Sequence, residues 1–403
     1  MIKINQAHNY FIVLLLFTIT ISHPLSYALS AIILVLWLVL GDLKQRVKAF
    51  FTDKLGLTFL ALFMIHLFGL LWTESYHEGL RILSKQKIYL FAPILISFFD
   101  RRFVKYALSA FLAAMFISEI YSLYIYLNEN IHLIGSLPSP FMHHMYYSLI
   151  LAFTFGYLIS EIDFKHLLKK RELFYLFFAL LTLVVLFINK GRIGQMAILP
   201  VLFILAIGKF KLSFIKSLVV VSFTSIVLFF AAYNFSEQFK VRFDKASYEF
   251  SEVVGTGKRE SIACRFEMWD YATKLGSDNL LLGVGTGDSV QEMDYLLGKD
   301  GFNKLYSDCG LGLKYEFNPH NNFILFFMLF GIVGVVIIVG VLAYQFNIAT
   351  KQKSLPMIIL LTVTLIGMMT TSLISMHIMY MFFYAFVLSM LYLDSLDSSD
   401  AKI

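Results

Sequence analysis

The chain has 403 residues, 59% of them hydrophobic and 15% charged, whereas a soluble globular domain carries about a quarter charged residues. That balance excludes water as the main solvent. The formal charge of +6 does not mark a nucleic-acid binder, because the basic residues fall in short connections between apolar runs and not on one aromatic-studded face.

In chain order, apolar helices are expected at 8–23, 24–40, 55–72, 86–99, 103–127, 143–160, 173–189, 193–208 and 214–234. After a long polar stretch they resume at 320–346, 355–373 and 374–393. With their flanks, most approach the roughly 20 residues that span a bilayer, where backbone groups must be satisfied within the segment. Strict alternation over segments of about ten residues, the mark of a membrane β-barrel, does not occur. The expected fold is all-α: one polytopic membrane domain over 1–403, about twelve transmembrane helices, and a helical outer loop at 235–319 between the ninth and tenth. Lys3 and the first run resemble a secretory leader, but Ile21-Ser22-His23-Pro24 offers no small-residue cleavage site, so a retained span is expected.

The connections alternate in charge. Lys44, Arg46, Lys48 and Lys54, then Arg101, Arg102 and Lys105, Lys165 to Arg171, Lys209 to Lys216, and Lys351 with Lys353 define one side, cytoplasmic by the positive-inside rule. Both termini fall on that side, and the 235–319 loop faces outward. Two outward connections break the rule: Arg81, Lys85 and Lys87, and the pair Lys190 and Arg192. Snorkelling to lipid phosphates is one reading of such cations and a ligand site the other. Arg192 lies between Gly191 and Gly194, which let other backbone approach it closely.

A connection of about 85 residues far exceeds the ~12 to 15 of ordinary loops, so a folded cap is expected. Interfacial amphipathic helices are expected from Phe235 to Val253 and from Arg259 to Leu275. Cys264 and Cys309 both lie in this loop, and spacing leaves their pairing open. The run Asn279 to Asp288, with Gly283, Gly285 and Gly287, predicts a tight turn whose backbone can touch a ligand; without a βαβ unit it is no dinucleotide fingerprint. The loop ends in Asn318-Pro319-His320-Asn321, which places His320 at a helix N-terminus, where the dipole disfavours imidazolium and favours anions. A capping or packing histidine is the plainer alternative. His143, His144, Tyr146 and Tyr147 read as either an interfacial belt or the lining of an acceptor-sugar groove. Glu119, His66 and His377 fall within or beside apolar runs, the histidines as packed or interfacial residues.

His320-Asn321 followed by Gly331 and Gly334 resembles the histidine-asparagine motif of the O-antigen ligase and polymerase family. Leu281 to Gly287 is similar to that family's glycine turn, Arg265 with Trp269 to its arginine helix, and Lys190-Gly191-Arg192 to its arginine at an outer hairpin. The resemblance implies a GT-C-like membrane glycosyltransferase of the bacterial inner membrane, acting in lipopolysaccharide or other cell-envelope polysaccharide synthesis. It would move a glycan from undecaprenyl diphosphate to a hydroxyl of lipid A core or another surface acceptor. His320 would serve as general base and Arg192 and Arg265 as diphosphate ligands, with Asn321, Lys190, Gly283, Gly285 and Arg81 in support. No cofactor and no metal are expected, since the chain has no Asp-x-Asp pair and arginines can neutralise the diphosphate. A glycan transporter or flippase is the rival class. It would place its long connection on the cytoplasmic side, between two similar halves.

Overall fold

A computed structural model describes residues 6–128, 139–237, 239–241, 243–245, 247–248, 261–309 and 317–400. The described residues form helices and no strand, and each of the twelve expected apolar runs contains a helix. Length and composition, however, qualify only six as full crossings: Lys54–Trp72, Arg101–Leu127, Lys170–Ile188, Phe214–Phe235, Asn322–Lys351 and Ile378–Leu396. A seventh arises if the pair His23–Val39 and Leu43–Thr52, bent by 118°, counts as one. Ala7–Thr18, Arg192–Gly208 and Leu355–Thr370 are apolar but shorter.

The bent pair was not legible as such. Gly41 takes φ +66° and Asp42 caps the next helix through Lys44 and Gln45 N–H, so the basic connection is itself an amphipathic helix. Arg46 on that helix lies over the rings of Trp37 and Phe98, at 5.9 and 5.4 Å, which anchors it against the bundle.

His144–Glu161, Arg192–Gly208 and Leu355–Thr370 pack on one another, and Asn322–Lys351 packs between Lys54–Phe68 and Leu355–Thr370. Ile378–Leu396 is the most enclosed span, 83% buried inside the chain, whereas Phe214–Phe235 is 6% buried. The latter is the more apolar of the two, so its outward phenylalanines have lipid as their natural solvent.

The helix Asn322–Lys351 is broken at Gly331, where φ +61° and ψ −151° interrupt the hydrogen-bond ladder. The glycine turn fills the gap. Val284 and Gly285 N–H donate to the carbonyls of Met328 and Leu329 (3.0 and 2.9 Å), while Ile332 and Val333 N–H donate to Leu280 and Leu281 (2.9 and 3.4 Å). Backbone freed by the break is thus satisfied by another segment, as a membrane interior requires. Beyond the turn, Asp288 accepts from Glu74 and Ser75 N–H at 2.8 and 2.7 Å, and Thr286 Oγ1 donates to the His66 carbonyl at 2.7 Å. The polar connection is therefore stapled to two spans.

Candidate functional site

Asn318 Oδ1 accepts from His320 N–H at 2.8 Å, and this Asx turn with Pro319 drives His320 to φ +53°. Histidine is among the few side chains that visit this region, at a cost of about 1 to 3 kcal/mol. Asn321, next in the chain, is the N-cap: its Oδ1 accepts from Phe323 and Ile324 N–H, and its Nδ2 donates to the Met369 carbonyl at 3.1 Å. Its polar atoms are committed to holding the turn. Asn322, fully buried, donates to Ser375 Oγ (2.7 Å) and accepts from Ile374 N–H (3.1 Å), which binds the helix start to the turn 371–377. Gln86 Nε2 and Tyr89 OH donate to the carbonyls of Ser375 and Ile374 in the same turn.

That knot seats His377 beside His320. Burial, and after it the Arg265 guanidinium, lower the His320 imidazole to about 4. Burial, then His320, His143 and Lys85, lower His377 to about 4 as well. Both rings are neutral at physiological pH, and the His320 Nδ1 is buried without a hydrogen-bond partner among the described residues. His377 Nε2 lies 3.1 Å from the Thr371 hydroxyl.

Arg265 arrives on the helix Ser261–Asp278, which packs along Asn322–Lys351. One turn after Arg265, Trp269 Nε1 donates to the Pro319 carbonyl at 2.7 Å, tying the arginine helix to the turn that carries His320. Cys264, adjacent to Arg265, is disulfide-bonded to Cys309 at the end of Ser289–Cys309. The sequence had left that pairing open. Replacing both cysteines by serine is expected to loosen the arginine helix and lower stability by about 2 to 4 kcal/mol. Thermal midpoints in detergent check this, and an unchanged midpoint would show that Trp269 alone suffices.

Arg192 begins the helix Arg192–Gly208. Gly191 and Gly194 lie against Ser148 with no room for a side chain, and Gly191 also meets the His144 carbonyl. Asn189 Oδ1 accepts from Gly191 N–H, and Gln195 Nε2 donates to the carbonyls of Leu186 and Asn189, which fixes the hairpin. Arg192, its Nε buried and unpartnered among the described residues, borders an apolar cavity of about 540 Å³ lined by Phe187, Phe229, Phe239 and Phe243. Lys190 is half-buried on the hairpin.

Gly283 and Gly285 depart from the expected ligand-touching turn. Their φ values are +64° and +95°, a side chain on Gly283 would collide with the backbone of Leu329 and Phe330, and their N–H groups donate to Asn279 and Leu329. Those backbone donors are spent inside the fold. Arg81 is half-exposed and lies 3.8 Å from Glu78, whereas Lys85, one turn along the same helix Tyr76–Gln86, reaches the field of His377. His377, which the sequence suggests as a packed or interfacial residue, lies in the field of His320. Its sequence signal is the group Thr370, Thr371, Ser372 and Ser375 between two apolar segments. Part of the expected helix Phe235 to Val253 lies outside the described residues. Among those described, no three His, Cys, Asp or Glu side chains are grouped to hold a metal ion.

No curated protein matches the chain. Residues 177–339 match the family model described as O-antigen ligase. The match runs from the span before Arg192 to the helix after His320, enclosing the hairpin arginine, the arginine helix and the glycine turn. Over residues 177–339 the chain is therefore similar to the O-antigen ligase family, in keeping with a membrane glycosyltransferase.

Proposed function

We propose that the protein transfers a glycan from undecaprenyl diphosphate to an acceptor hydroxyl, on lipid A core or another surface acceptor. The observation that carries this reading is the half-buried, neutral His320 with a buried, unpartnered Nδ1, in the field of the Arg265 guanidinium. The acceptor oxygen forms the new C–O bond at the anomeric carbon, the bond from that carbon to the diphosphate oxygen breaks, and its electron pair leaves on the diphosphate. The hydroxyl proton passes to His320. Displacement of this kind inverts the anomeric centre. Arg265 and Arg192 offer paired donors to phosphate oxygens without a metal ion, and the apolar cavity at Arg192 accommodates the prenyl chain.

In this reading the chain crosses the bacterial inner membrane about twelve times in a GT-C-like arrangement. The shorter helices complete the crossings, both termini are cytoplasmic and the 235–319 loop is periplasmic. The disulfide suits that oxidising compartment.

The test is deletion of the gene in its host with plasmid complementation. Loss of polymer from the acceptor, with lipid-linked polymer accumulating, is expected, and single repeat units on the acceptor would instead assign a polymerase. Wild-type protein should restore the surface glycan, while Arg265→Ala and Arg192→Ala should each fall short of it. Removal of one transition-state donor typically costs about 10²- to 10³-fold in rate. Full rescue by both variants would overturn the diphosphate assignment.

A further inference from the structure

Outside the family match, four rings run in series toward the candidate base. His144 and His143 are 4.1 Å apart between centroids, His143 and Tyr146 5.6 Å, and Tyr146 and His377 5.5 Å. His143 is exposed, Tyr146 and His377 are half-buried, and His320 follows next in the field of His377. From the exposed His143 the series leads inward to the candidate base.

We propose that His143, Tyr146 and His377 form the platform on which the acceptor sugar lies, its reacting hydroxyl turned to His320. The proposal rests on the transfer reading above. A pyranose has an apolar C–H face that stacks on a ring and a hydroxyl rim that meets N–H and O–H groups, the two characters that tyrosine and histidine combine. Tilted rings stepping along a half-buried edge suit an extended saccharide better than a small compact ligand. An interfacial belt, by contrast, has no reason to hold its rings in fixed order up to a half-buried imidazole. Here Met145 N–H donates to His143 Nδ1 at 3.4 Å and Thr371 fixes His377, so the rings at both ends are oriented.

Direction follows from charge. Arg265 acts on His320, whereas His377 is acted on by His320, His143 and Lys85. The leaving diphosphate belongs with the Arg265 guanidinium. An attacking hydroxyl must approach the anomeric carbon from the face opposite the leaving group, so the platform and the Arg265 guanidinium would serve opposite faces of the anomeric carbon.

The test uses purified full-length protein, an undecaprenyl-diphosphate-linked glycan as donor, and as acceptor the glycolipid fraction of the deletion strain, which holds the unmodified acceptor. Tyr146→Leu and His143→Ala should each raise the acceptor KM on the order of fivefold to tenfold while the donor KM stays within about twofold. Tyr146→Phe, which keeps the ring, should stay near the wild-type acceptor KM. If Tyr146→Leu does not accumulate in the membrane, His143→Ala, at an exposed ring, decides alone. An unchanged acceptor KM in a wild-type background that needs His320 overturns the platform and leaves the transfer reading standing. Activity that persists in His320→Ala, or no transfer by the wild-type protein, overturns that reading and the platform with it.

Discussion

His320→Ala and His320→Gln are each expected to lower kcat about 10²- to 10⁴-fold, the usual contribution of a general base, with donor KM little changed. His320→Gly separates chemistry from folding. Glycine takes φ +53° without strain, so this variant should be more stable than His320→Ala by about 1 kcal/mol and equally inactive. Thermal midpoints in detergent measured beside initial rates check both. Activity within tenfold of wild type in the glycine variant would leave His320 a turn residue only.

The pH dependence is signed. In the free enzyme burial and Arg265 hold His320 at about 4, so the acid limb of kcat/KM should fall near pH 4 and not near the 6.5 of an ordinary histidine. A bound diphosphate brings negative charge to the ring and raises its pKa, so the limb of kcat should lie higher than that of kcat/KM. Stability runs in the same sense. Between pH 6.5 and about 4 the unfolded chain binds a proton that the folded His320 refuses, so stability falls as pH falls through that window.

Gly331→Ala and Gly283→Ala should be the most damaging changes to the fold. At φ +61° and ψ −151° Gly331 occupies a region essentially closed to side chains, and an added Cβ would sit 2.5 Å from the Leu280 carbonyl oxygen. Backbone strain and overpacking together imply a loss of about 2 to 6 kcal/mol. The damage would reach the site, because the same break anchors the turn that leads to Asp288 and the helix bearing Lys85. Gly340→Ala is the control: it lies in the same helix with nothing within 4 Å of its added Cβ, and it should be neutral or slightly stabilising. A wild-type melting midpoint for Gly331→Ala would show that the staple is dispensable.

Much of the architecture is written locally. Apolar runs without charges make helices in any apolar solvent, and Pro319 with Asn321 marks a helix start whatever surrounds it. His320 could be singled out for the same reason, since a turn, a cap and a helix dipole act within four residues of one another. The amphipathic helix Leu43–Thr52 was read as a bare basic connection. Its face becomes evident only when Arg46 meets Trp37 and Phe98.

The roles of the glycines and of His377 could not be read in that way. A glycine-rich turn in isolation is equally suited to a phosphate or to a neighbouring helix. What decides it is that Met328 and Leu329 carbonyls, freed by a break some 45 residues later in the chain, need donors at that place. His377 likewise has no local signature. It enters the site because Asn322, Gln86 and Tyr89, from segments far apart in sequence, converge on Ile374 and Ser375. By itself the sequence determined that the chain is helical, apolar and broken by one polar connection ending in a histidine, because hydropathy and capping act over a few residues. Only the tertiary structure decided which imidazoles and cations share one field and which glycines serve packing, because Coulomb forces and backbone hydrogen bonds depend on distance in space and not on separation along the chain.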